Sequence, residues 1–247
     1  MTNPWRTRIV WASILKLAIA AAFAFEPTSS YRETTIKNFK VLTSAELEKH
    51  PAEKVAAFAE FGKQAEEIEM ALPPAAVHWL EHVPIWMEWE NKTNGAAEYH
   101  PSKEWLTEHG YNPEKAHCIE ISNAVNFVKW SERDQPSMLL HELSHAYHHQ
   151  VFGFNDTDIR AAYEAARDSK RYEHVARVHA KPQRAYAMTD VSEYFAELSE
   201  AYWGRNDFYP FTRSELKEFD PQGYAVLEKK WNAAGEAKTS ERAPARN

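Results

Sequence analysis

The segment SMLLHELSHAYHH, residues 137–149, sets the tightest limit on how this chain can fold. Met138, Leu139, Leu140 and Leu143 give it the pattern of a helix buried among neighbours, yet Glu142 and four of the chain's twelve histidines lie within it. A buried imidazole or carboxyl without a partner is costly, so a fold that encloses this helix must also supply partners for its polar groups. The chain can build such an enclosure: 247 residues, 44% of them apolar, with nine Trp and eleven Tyr, suffice for a globular core.

Charge and cysteine usage narrow the function. The net charge is −7 and the Lys and Arg residues are scattered, which excludes the cationic stripe that nucleic acid requires. Cys118 is alone, so no intramolecular disulfide forms, and in KAHCIEIS it reads as a small buried side chain. Residues 1–25 place two arginines before IVWASILKLAIAAAFAF, which carries Ala22-Phe23-Ala24 near its end. This is the pattern of a secretory signal with an A-x-A cleavage site, and it predicts an exported protein, secreted or periplasmic. Lys16 divides the apolar run and leaves open an uncleaved membrane anchor or an ordinary amphipathic helix.

Residues 26–42 read as a polar lead-in, followed by a capping-box start at Thr43 and Glu46 and a helix to about Leu72, ended by Pro73-Pro74. VPIWMEWENKTNGAAEYHP alternates apolar and polar positions around Asn94-Gly95 and predicts a hairpin. HCIEISNAVNF predicts a strand at 117–122, and from Pro136 the period becomes helical. Asp190 and Gly204 bracket a later helix, while Thr212-x-x-Glu215 and Asp220-Pro221 open two more. Residues 234–247 are small and charged and are expected to form a disordered tail. The organisation is one α+β domain over 35–233, mostly helical, with a small mixed or antiparallel sheet.

His141 and His145 lie four residues apart, one turn along one face of a helix, where two imidazoles can share a cation. Glu142 completes H-E-x-x-H, in which the Glu acts as a general base beside zinc. His148 falls on the same stripe, but seven residues rise about 10.5 Å, whereas nitrogens on one zinc lie within about 4.2 Å. His145 and His149 repeat the spacing without a following Glu. His148 and His149 are therefore read as polar residues around the site. The alternative is a metal-free core helix whose histidines bond to neighbours.

A catalytic zinc takes a third protein ligand. HAYHHQVFGF lacks the further His of a metzincin. In RAYAMTDVSEYFAELSEAYWG, Glu193, Glu197 and Glu200 form a stripe that would ordinarily be a solvated face. The combination of HELSHAY, SEYFAE beginning 47 residues after His145 and a Tyr seven positions before Glu193 resembles the catalytic domain of anthrax lethal factor and the Pro-Pro endopeptidases. The likeness covers about residues 136–204. It implies a zincin-like domain of gluzincin type, with His141, His145 and Glu193 on Zn2+, Glu142 as base, Tyr186 as oxyanion donor and Glu197 behind the ligands. By helical spacing Glu197 could hold a ligand imidazole in one tautomer, or be a plain surface carboxylate.

The expectation is zinc-dependent cleavage of a peptide or protein substrate. A zinc-binding protein of this fold without proteolytic activity is the alternative, and a metal-free helical interaction protein is a further one. His100 in EYHPS is a weaker candidate for a polar group on the substrate side, and the aromatic run RNDFYPFTR reads as core packing.

Overall fold

The structure, a computed structural model, describes residues 25–240, with side chains through residue 233. All but the last residue of the expected signal or anchor at 1–25, and the last seven residues of the expected tail, lie outside this range. Among the described residues no helix is long and apolar enough to cross a membrane. The fold is α+β and mainly helical, with a five-stranded mixed sheet and a separate two-stranded hairpin.

The sheet begins inside the segment expected to be a polar lead-in. Strands β1 (Arg32–Ile36) and β2 (Phe39–Thr43) pair as a two-residue hairpin, and Lys37 and Asn38 both take positive φ, +47° and +67°. That geometry matches the twist of the strands it joins. The segment looks polar because β1 lies at the sheet edge, while β2 buries Phe39, Val41 and Leu42. Thr43 does not cap a helix, because its backbone is paired with Arg32 and its hydroxyl donates to Glu48 at 2.9 Å. Helix α1 (Pro51–Ala71) starts later, with Pro51 in its first turn, where a missing N–H costs nothing. It ends before Pro73, and Pro74 opens the short α2 (Pro74–Leu80).

The Asn94-Gly95 hairpin does not form. β3 (Ile85–Met87) and β4 (Glu98–Tyr99) flank that dipeptide, but β5 (Ile119–Ile121) lies between them, parallel to β3 and antiparallel to β4. Ile85, Trp86 and Met87 are all buried, as in an interior parallel strand with both faces covered. β5 is shorter than expected because His117, at φ +63°, breaks the extended backbone before it. The strand order is β1-β2-β3-β5-β4, which leaves β4 as an edge.

Helix α3 (Lys103–Glu108) follows β4, and α4 (Ala124–Arg133) leads to the central helix α5 (Met138–Tyr147), in which every residue is buried. Its amino end is closed from outside: the Leu139 N–H donates to Gln64 Oε1 of α1 at 2.8 Å. A wider π-type turn at His148–Phe152 ends at Gly153, whose φ of +76° suits glycine. Beyond α6 (Thr157–Asp168), the small hairpin β6 (Val175–Arg177) and β7 (Ala180–Gln183) interrupts a region expected to be helical. Helix α7 (Val191–Trp203) packs on α5, and α8 (Arg213–Phe219) carries the expected Thr212/Glu215 capping box. In α9 (Pro221–Ser240), residues 234–240 continue the helix where a tail was expected, consistent with their Ala, Glu and Lys content. Trp231 from α9 stacks on Tyr147 with ring centroids 4.4 Å apart and donates its indole N–H to Ser199 of α7, tying the three helices together.

Candidate metal centre

One turn of α5 separates His141 from His145, and their Nε2 atoms lie 3.1 Å apart. Glu193 arrives from the first turn of α7. That turn is fixed by Asp190, whose carboxylate accepts the N–H groups of Ser192 and Glu193 at 2.8 and 3.0 Å. Glu193 Oε2 lies 3.1 Å from His141 Nε2 and 3.2 Å from His145 Nε2. Three ligand atoms of a tetrahedral zinc with bonds of 2.0–2.1 Å would be about 3.3 Å apart. The nearly equilateral triangle of these side chains fits such an ion. An ion or a protonated imidazole stabilises two ring nitrogens and a carboxylate oxygen at these distances.

The other face of the His141 ring corrects the expected role of Glu197. Glu200 Oε1 is 2.6 Å from His141 Nδ1, whereas Glu197 comes no nearer than 3.9 Å. Around α7, Glu200 lies about 20° from Glu193 and Glu197 about 40° on the opposite side. Positions 193 and 200 therefore bracket the imidazole, Glu193 at Nε2 and Glu200 at Nδ1. The stripe was visible in the sequence, but which of its members faces α5 depends on how the two helices pack. It is not a solvated face, because Glu197 and Glu200 are fully buried. Both oxygens of Glu197 lack a hydrogen-bond partner among the described residues, and burial first, then the neighbouring Glu200, hold its carboxyl well above the usual range. Burial likewise raises Glu200 to about 7 against the opposing hydrogen bond from His141. Burial disfavours charge on His141, yet its bonds to Glu193 and Glu200 hold the imidazole well above its ordinary value.

Glu142 and Tyr186 line one cavity of about 330 Å³ together with His141, His145 and Glu193. Burial pushes the Glu142 carboxyl up. Tyr186 sits on a short 3₁₀ turn, is 46% exposed and donates its hydroxyl to Glu193 Oε1 at 3.2 Å. Burial and the Glu193 charge push the phenol up to about 12, so it keeps its proton near neutrality. Glu98 and Tyr99 of the edge strand β4 line the same cavity.

The remaining histidines of the motif segment leave the triangle. His148 is fully buried between Phe154 and Phe195, with neither ring nitrogen hydrogen-bonded among the described residues, and is a core residue rather than a polar neighbour of the site. His149 accepts or donates at 2.8 Å with the Tyr99 hydroxyl. No family model, curated protein or solved structure matches the chain. Its functional reading is carried by the geometry of these side chains.

Proposed function

We propose that the chain is a zinc-dependent endopeptidase acting on peptide or protein substrates, with a zincin-like domain of gluzincin type. The triangle of His141 Nε2, His145 Nε2 and Glu193 Oε2 carries this reading, because its edges of 3.1–3.2 Å fit a tetrahedral zinc. The likeness of HELSHAY and SEYFAE to the lethal-factor domain supports it. The edge strand β4 beside the cavity supports a peptide substrate, since an extended chain can pair with such an edge. The N-terminal sequence supports export, with membrane anchoring as the alternative.

Zinc held by His141, His145 and Glu193 would supply Lewis acidity, polarising the scissile carbonyl and lowering the pKa of water from 15.7 toward about 7. Glu142 takes the proton of the attacking water and returns it to the departing amine. Its burial raises the carboxyl pKa, which favours uptake of that proton. Tyr186 keeps its phenolic proton and donates it as a hydrogen bond to the oxygen that becomes negative. Glu200 accepts from His141 Nδ1–H and so leaves the Nε2 lone pair to face the point between Glu193 and His145 where zinc would be held.

Metal analysis and an unbiased peptide-library digest, run on wild type and Glu142→Gln side by side, test the proposal. One zinc per chain is expected in both, with cleavage by wild type alone. Absence of stoichiometric zinc, or equal cleavage by both, overturns it; zinc without cleavage in wild type leaves a zinc-binding protein.

A further inference from the structure

A second cavity of about 420 Å³ adjoins the metal cavity and shares Glu98 and Tyr99 of β4 with it. Its walls are completed by His100, Pro101, Ser102 and Trp105. Trp105 projects from α3 and is 45% exposed. It is nonetheless supported. Its indole stacks on His109 at 4.1 Å and on Tyr111 at 5.7 Å, both at 18° between planes, and its backbone N–H donates to Ser102 Oγ, the helix N-cap, at 3.1 Å.

His100, which also lines this cavity, is equally well fixed. His100 Nε2 lies 2.6 Å from Glu120 Oε2, and Lys115 Nζ bridges Glu120 and Glu88 at 2.6 Å each, all four side chains being buried. Burial alone would raise the Glu120 carboxyl, but His100 and Lys115 hold it down to about 2, so it stays anionic and accepts from the ring. Glu98, His100 and Glu120 are close enough to suggest a metal site, but the Lys115 ammonium already serves Glu120. Glu98 is paired with Lys92 at 2.5 Å. The groove thus offers apolar rings and no free carboxylate for a cationic side chain.

We propose that this cavity is a substrate subsite that accepts an aromatic side chain, with Trp105 as the residue that determines the preference. The proposal rests on the peptidase reading for the identity of its ligand. A peptide laid along β4 places alternate side chains on one face about 6.5–7 Å apart, so one strand can present residues to both cavities. Stacking on Trp105 and burial beside Pro101 and Tyr99 favour an aromatic residue over alanine by about tenfold.

The test uses full-length, zinc-loaded Glu142→Gln, immobilised and panned with a random peptide library of fixed length, while wild type digests the same library. Phe, Tyr and Trp should be enriched about tenfold over Ala at one position. Trp105→Ala and Trp105→Leu should reduce that ratio to about one, and Trp105→Phe should keep most of it; thermal melts confirm that each variant is folded. Enrichment of Lys or Arg at that position, or a profile unchanged by Trp105→Leu, overturns the subsite. Trp105-dependent selection without cleavage by wild type would keep the subsite and remove the peptidase. Cleavage with Trp105-independent selection would do the reverse.

Discussion

Replacing His148 by Phe should make the protein markedly more resistant to acid. His148 is fully buried between two phenylalanines and neither ring nitrogen finds a hydrogen bond among the described residues. Burial, with a smaller contribution from the neighbouring His145, pushes its ionisation down from the ordinary 6.5 to about 4. The folded-state pKa is thus the lower one, and the sign follows. Above pH 6.5 the residue is neutral in both states and has no effect on the pH slope. Between 6.5 and 4 the unfolded chain takes up a proton that the folded chain refuses, so stability falls by about 1.4 kcal/mol per pH unit. Over the whole window His148 alone removes about 3 kcal/mol, a large part of a typical folding free energy. His148→Phe abolishes this contribution. At pH 7 it should be neutral or stabilising by about 1 kcal/mol, because unsatisfied ring nitrogens give way to an apolar ring of similar shape. The assay is urea unfolding of both proteins at pH 7 and pH 4.5, followed by tryptophan fluorescence in excess chelator so that metal binding does not contribute. Stability curves of wild type and variant that run parallel between these two values would refute the reasoning.

The metal centre allows two further discriminating substitutions. Glu200→Ala should weaken zinc affinity by about 10- to 100-fold, because His141 loses the carboxylate at its Nδ1, whereas Glu197→Gln should change it by less than about twofold; competitive chelator titration measures both, and equal effects would restore Glu197 to the ring. Tyr186→Phe should lower kcat by about 10²-fold or more while zinc content stays at the wild-type level, and a variant that instead loses its metal would make Tyr186 a support for Glu193 rather than an oxyanion donor.

Local signals carried most of the helical framework, and long-range pairing carried what they missed. Asp190, Gly204 and Thr212-x-x-Glu215 announce helix ends through bonds within a few residues, and the structure has them where the sequence places them. Asn94-Gly95 is an equally local signal, yet it is overridden because Ile85–Met87 buries both faces and must be flanked on each side, which brings β5 rather than β4 to its open edge. The β1–β2 hairpin escaped notice because an edge strand with a polar face lacks alternation strong enough to read. His141 and His145 were legible as a pair because helix geometry fixes their spacing. The choice between Glu197 and Glu200 was not, since it turns on the angle at which α7 crosses α5. Gln64 gave no sequence signal at all, because it matters through Leu139, a partner distant in the chain.

The hydrogen bond from the Leu139 amide to Gln64 limits how this molecule can be cut down. Residues 136–204 carry all the candidate ligands, yet a fragment of that span would leave the amino end of its ligand-bearing helix without the glutamine that closes it. It would also strip away Trp231, against which Tyr147 lies flat, and expose a broad apolar surface. Such an excised piece should aggregate rather than bind metal, so the chemistry of this short segment is inseparable from both ends of the domain.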